Sequence, residues 1–261
     1  MPSSVDGFPI PVLQLDPTAH EGKKEEPEVT IVYYHGGGLC VGEEDSEELS
    51  CRRLLKALSG KHARLYSVGY RLMPKYPAST CLSDSMDAFN FVHSKTARTI
   101  IVGSSSGGQL AAAIAQNASP GTVHGVMLRC PVTSDPSDGM EYIPEHLRPF
   151  HTSLDPSFVT SLSSYLKRAI PRDGLDSLPI EASREKLRGH ASTWIQLCTN
   201  DTLYSDGLCY GMALVDAGVD VRVHVMEGWP HTFWLKAPEL DEALEADEAI
   251  IEGLRWLVAG K

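Results

Sequence analysis

The sequence has no apolar run approaching the ~20 residues that a membrane-spanning helix requires. Its opening residues, MPSSVDGFPIPVLQLDP, lack a basic stretch followed by an uninterrupted apolar one, so a secretory leader is not expected. Positive charge is in short supply. With 23 Lys and Arg against 34 Asp and Glu, the net charge of −11 argues against nucleic acid as a partner, because phosphate binding needs clustered cations. No H-E-x-x-H or comparable ligand cluster appears, so neither a metal nor another cofactor is expected. Cysteines number six (Cys40, Cys51, Cys81, Cys130, Cys198 and Cys209), with no C-x-x-C pair and no small-scaffold spacing. Cys130 and Cys198 lie inside apolar runs, where free cysteine behaves as a small hydrophobe. All six are read as reduced, which favours an intracellular, cytoplasmic setting. Internal repeats, low-complexity tracts and an interdomain linker are also missing.

A chain of 261 residues is long enough to bury roughly 75% of its unfolded surface with no staple. Apolar, β-branched runs recur between helical stretches, the pattern of a mostly parallel sheet with helices on both faces. The strand candidates are Val29–Tyr34, Ala63–Val68, Thr99–Val102, Gly125–Cys130, Thr193–Cys198 and Val219–Met226, with a further strand within Phe8–Leu15. They read as continuous rather than alternating apolar runs, as buried parallel strands do. Helices fit the gaps. Asp45 with Glu48 resembles a capping box ahead of Leu54, Leu55 and Leu58; further helices are expected over Thr80–His93, Gln109–Gln116 and about Glu242–Val258. Residues 135–190 break the rhythm and read as an insertion over the sheet within one domain spanning 1–261.

Gly103-Ser104-Ser105-Ser106-Gly107 matches G-x-S-x-G between a strand and an alanine-rich helix, the context in which the middle serine sits on a strained turn above the sheet. Its glycines are expected where strand and helix backbones approach too closely for a Cβ. Ser105 is therefore the candidate nucleophile. His35-Gly36-Gly37-Gly38 follows directly on the strand Val29–Tyr34. Three glycines at a strand end suit backbone N–H groups that must reach a developing oxyanion, so Gly37, Gly38 and the Ser106 N–H are the candidate donors. His35 is expected to brace that loop through its ring.

The remaining members of such a site follow strands, in the chain order Ser, Asp or Glu, His. Thr199-Asn200-Asp201 and Glu227-Gly228-Trp229-Pro230-His231 meet that demand. A histidine titrates close to neutrality and can take and return a proton, while a carboxylate fixes its tautomer. Asp201 and His231 are the candidates. Asp206, on the following helix, reads as a surface carboxylate; His124, His190 and His224 lie at or within strands and read as structural.

These residues together resemble the hormone-sensitive lipase-like group of carboxylesterases. The resemblance runs through YYHGGG (Tyr33–Gly38), YRLMPKYPAS (Tyr70–Ser79), GSSSGG (Gly103–Gly108), DTLYSDG (Asp201–Gly207) and GWPHTFW (Gly228–Trp234). It implies the α/β-hydrolase fold and hydrolysis of small-molecule esters through an acyl-enzyme. Three features depart from that group. It usually carries Asp and Ala around its serine, where this chain has Ser104 and Ser106. It also usually carries N-terminal cap helices before its first strands, whereas about 28 residues precede Val29 here, so that half of the cap is expected to be missing. Trp229 and Pro230 fill positions where the group varies.

The same residues leave lactone, amide or C–C bond cleavage open, and also a non-catalytic binding relative, although such relatives lack the histidine present here. A homodimer is left open too. One further element follows from the insertion. Asp155-Pro156 starts a helix that Pro171 stops, with Phe158, Val159, Leu162, Tyr165, Leu166 and Ala169 forming an apolar stripe. As a reduced cap, it would put Phe158, Leu162 and Tyr165 on the wall of a shallow acyl pocket.

Overall fold

The computed structural model describes residues 1–17, 26–93, 98–134, 142–151 and 174–260. In chain order its elements are β1 (Val12–Leu15), β2 (Val29–Tyr34), α1 (Glu48–Ala57), β3 (Ala63–Val68), α2 (Ala78–His93), β4 (Thr99–Ser104), α3 (Ser106–Asn117) and β5 (Gly125–Arg129). They continue with α4 (Arg184–Leu187), β6 (Thr193–Asn200), α5 (Tyr204–Asp216), β7 (Val221–Pro230), α6 (Phe233–Lys236) and α7 (Asp241–Ala259). One seven-stranded sheet runs in the order β1-β3-β2-β4-β5-β6-β7. Every neighbouring pair is parallel except β1 with β3. This is the α/β-hydrolase architecture expected from the sequence, a mostly parallel sheet flanked by helices.

The continuous apolar runs are explained by the two covered faces. Every residue of β2, β4 and β5 is buried. Ile31, Tyr33, Ile100, Val102 and Met127 pack with Leu54 and Leu55 of α1 and Leu254 and Leu257 of α7. Their alternates Val32, Tyr34, Ile101, Val126 and Leu128 pack on the other side with Phe89 of α2, Leu110 of α3 and Leu214 of α5. Strand side chains alternate between faces, so a strand apolar at every position must be sandwiched between two helical layers.

Two local expectations are corrected. Asp45 does not cap α1: the helix begins at Glu48 with Glu47 at the cap position, and no side chain makes a capping bond. The Glu47 carboxylate instead accepts from Tyr33 Oη at 2.6 Å and Gly36 N at 2.8 Å. The strand expected at Val219–Met226 is not buried on both faces. It runs from Val221 to Pro230 at the sheet edge, with Val223 45% and Val225 38% exposed.

Before β2 the described residues hold β1 and no helix. The described parts of 135–190 hold 3-10 turns at Glu145–Phe150 and Pro179–Glu181, then α4. Among the described residues no helix is long and apolar enough to cross a membrane. None of the six cysteines is paired in a disulfide among the described residues.

Candidate active site

Strand register brings the candidate residues together. Tyr34 pairs with Gly103, Ser104 with Arg129, and Asn200 with Pro230. The carboxyl ends of β2, β4, β6 and β7 therefore lie along one rim, where ligands bind in open α/β sheets. Asp201 and His231 are the residues immediately after the paired Asn200 and Pro230. Both strands extend further than their apolar runs, across an irregularity between Cys198 and Asn200, with the Gly228 N–H donating to Thr199 Oγ1 at 2.7 Å.

Ser105 sits between β4 and α3 with φ 53° and ψ −119°. A non-glycine residue there is strained, and the fold fixes it from three sides. Ser105 N donates to Arg129 O at 2.8 Å, while its own carbonyl accepts from Gly108 N and Val132 N. The glycines flanking it are required, as the sequence suggested. A Cβ on Gly107 would lie 2.0 Å from Tyr34 O, and one on Gly103 would lie 2.2 Å from Gly107 O.

His231 Nε2 lies 2.9 Å from Ser105 Oγ, and its Nδ1 lies 2.7 Å from Asp201 Oδ2. The other carboxylate oxygen, Oδ1, accepts from Leu203 N at 2.9 Å. The Asp201 side chain is 1% exposed and that of His231 35% exposed, so the carboxylate is dry and the imidazole faces the rim. With Nδ1–H donated to the carboxylate, Nε2 is free to accept the serine proton.

The loop after β2 lies against the serine: a Cβ on Gly36 would come within 3.2 Å of Ser105 Cβ. Gly37, Gly38 and Leu39 have φ of 114°, 65° and 61°, a left-handed run that explains two of the glycines. Leu39 adopts the same conformation at a cost of about 1 kcal/mol. His35 braces this loop as expected, with Nδ1 2.6 Å from Gly36 O and its ring stacked on Tyr70 at 4.4 Å. The Tyr70 hydroxyl donates to His35 O at 2.7 Å. Burial raises the pKa of Tyr70 well above its ordinary value, and a hydrogen bond from Ser106 opposes that push. Burial also lowers the pKa of His35, which favours a neutral ring. His124 and His190 bond to backbone at Thr99 N and Ala191 O, as structural histidines do.

Asp206 is not a surface carboxylate. It is fully buried, and its Oδ2 accepts from Thr133 N, Ser134 N and Ser134 Oγ, with His151 Nε2 3.5 Å from Oδ1. It ties the turn after β5 to the start of α5. Glu47 was missed as well, because its sequence neighbourhood resembles an ordinary helix start; the signal available was an acid about ten residues beyond a glycine loop. Phe158, Leu162 and Tyr165 lie outside the described residues.

Cys130 has φ 45° and follows β5 beside the acid. Its sulfur, an Asp201 oxygen and a His231 ring nitrogen lie within 4.8 Å of one another, the one such group of three potential metal ligands among the described residues. An ion there would have to displace the His231–Asp201 hydrogen bond. Burial, with Cys198 and Asp201 adding to it, pushes the Cys130 thiol well above its ordinary pKa. Two residues after the histidine in sequence, α6 begins with the buried Phe233 and Trp234, and the Arg129 guanidinium stands 3.9 Å over the Trp234 ring while donating to Asp247 and Gln196.

The chain is similar in sequence and fold to several known proteins. The FAD-linked oxidoreductase pytB of Aspergillus terreus is 31% identical over 242 residues, covering 87% of this chain and 29% of that protein. The chain thus spans less than a third of that relative. Esterase LipI of Mycobacterium tuberculosis is 27% identical over 241 residues, 88% of this chain and 73% of that one. Brefeldin A esterase, a bacterial homologue of human hormone-sensitive lipase, superimposes with a TM-score of 0.78 at 22% identity, covering 99% of this chain and 76% of that one, which shows the fold. The alpha/beta hydrolase fold family matches residues 31–235. That match spans most of the sheet and the whole rim, and the chain belongs to this family.

Proposed function

We propose that this chain is a carboxylesterase-type serine hydrolase that cleaves small-molecule carboxylic esters through an acyl-enzyme. The observation that carries the reading is the hydrogen-bonded series Ser105 Oγ, His231 Nε2, His231 Nδ1 and Asp201 Oδ2, with separations of 2.9 and 2.7 Å. Ser105 Oγ attacks the ester carbonyl carbon as His231 Nε2 takes its proton. The C–O bond then breaks, and the imidazolium returns the proton to the departing alcohol. Water, deprotonated by the same ring, releases the acid and restores the serine. Asp201 remains ionised and steadies the imidazolium.

The tetrahedral oxyanion is assigned to the N–H groups of Gly37, Gly38 and Ser106. What supports this is the left-handed run of the loop, its contact with Ser105, and the N-terminus of the twelve-residue α3 behind the serine. The neighbouring N–H groups are already engaged, Gly36 by Glu47 and Leu39 by Ser106 Oγ.

A panel of p-nitrophenyl esters, lactones and anilides tests the reading. Wild type should turn over short-chain esters, and Ser105→Ala should lower kcat by about 10⁶, the scale for a serine that works as a unit with its histidine. Failure on every ester, or equal rates in the variant, would contradict it.

A further inference from the structure

Ser106 has a second role available through its side chain. Its hydroxyl oxygen accepts the Leu39 N–H at 3.2 Å, a buried bond between residues 67 positions apart. Ser106 follows the nucleophile and opens α3, whereas Leu39 closes the left-handed run Gly37-Gly38-Leu39. Around that bond the loop is held at both ends. Gly36 N donates to the buried Glu47 carboxylate at 2.8 Å, Leu39 O accepts from Met73 N at 2.8 Å, and Tyr70 Oη donates to His35 O at 2.7 Å. The side chain of Leu39 is fully buried, so water cannot replace a lost partner for its N–H.

We propose that the Ser106 hydroxyl is a positioning residue that latches the glycine loop to the nucleophile turn, fixing the Gly37 and Gly38 N–H groups relative to Ser105 Oγ. The proposal rests on the esterase reading for its catalytic consequence and on the Leu39 bond alone for the latch. Donors and nucleophile come from different strands, β2 and β4, and are joined here through side chain to backbone. Geometry at such a site is demanding, since a displacement of about 1 Å can lower a rate by roughly 10²-fold. The latch acts on donor placement and leaves the His231–Asp201 pair untouched, so its loss should appear in kcat and not in the pH profile.

Ser106→Ala and Ser106→Thr are compared with wild type by two measurements. Hydrogen exchange of the peptide containing Gly37–Val41 reads the latch with no substrate present. It should quicken by about tenfold or more at Leu39 in the alanine variant, as expected when a buried amide loses its partner, and return toward wild type with threonine. Kinetics with a p-nitrophenyl ester and a trifluoromethyl ketone, which forms a tetrahedral adduct, read the consequence. The alanine variant should lose about 10- to 100-fold in kcat and in ketone affinity alike, with KM within twofold and the pH profile unchanged. Unchanged exchange at Leu39 overturns the latch, even if wild type proves inert toward esters. Faster exchange with unchanged kcat and ketone affinity overturns its role in the reaction, and so does a rate loss accompanied by a shifted pH profile.

Discussion

Asp201 and Asp206 stand five residues apart, and their surroundings give them different work. Asp201 presents one oxygen to His231 and the other to its own helix start, whereas Asp206 Oδ2 takes three donors from the turn after β5. Asp201→Asn should lower kcat by about 10⁴ while leaving stability nearly unchanged, because the amide favours the wrong imidazole tautomer. Asp206→Ala should do the reverse. It strands buried N–H groups that each cost about 1–3 kcal/mol, so a urea titration should show a loss of several kcal/mol. If Asp206→Asn crippled kcat with stability intact, the acid would have been misassigned. At this scale the residues that the fold brings together at the candidate site were legible, because G-x-S-x-G, the glycine loop and the strand-end acid and histidine all have chemistry that demands those residue types. Supporting residues were not. Nothing local to Asp206 shows that Thr133 and Ser134 fold onto it, and nothing near Glu47 shows that its carboxylate turns back to Gly36.

Among the elements, the segment after β3 shows how a motif can be recognised without its physical role. The guanidinium of Arg71, in the Tyr70–Ser79 stretch, donates two hydrogen bonds to the fully buried Asp84 of α2, at 2.8 and 2.9 Å, and others to Asp6 and Ser3. It clamps the first residues of the chain to α2, next to the tyrosine that braces the glycine loop. Arg71→Met should destabilise the fold by about 3–5 kcal/mol, because it leaves a buried carboxylate without its cation. Chemical denaturation at neutral pH checks it, and a change under about 1 kcal/mol would contradict the clamp. A hydrogen bond from Arg71, helped by the Phe8 N–H, also holds the Asp6 carboxyl below its ordinary pKa. That contribution is present above the ordinary carboxylate pKa and is lost as pH falls through the depressed one. Asp6→Asn should therefore lose less stability on acidification than wild type. Element boundaries deviated where tertiary pairing overrode local pattern. β6 and β7 run on to Asn200 and Pro230 because they pair with each other, although Glu227-Gly228-Trp229-Pro230 reads as a loop in isolation.

For the whole molecule, continuous apolar strands implied a sheet covered on both faces, and that is what the alternating packing of β2, β4 and β5 delivers. The order of the strands could not be read from composition. It places β7 at an edge, where one covered face suffices, and so Val223 and Val225 stay exposed in a run that looks like core. The same order sets Ser105, Asp201 and His231 on one rim though they are spread over more than a hundred residues of sequence. On the proposed reading this rim makes Ser105, alone among the serines, nucleophilic through His231. Intact-mass and peptide analysis after treatment with a fluorophosphonate tests it most directly. A single adduct on Ser105, absent from Ser105→Ala and formed at least about 10³-fold more slowly in His231→Ala, is the predicted result. An adduct on Ser104, Ser106 or Ser134, or labelling of Ser105 at an undiminished rate without His231, would overturn that assignment.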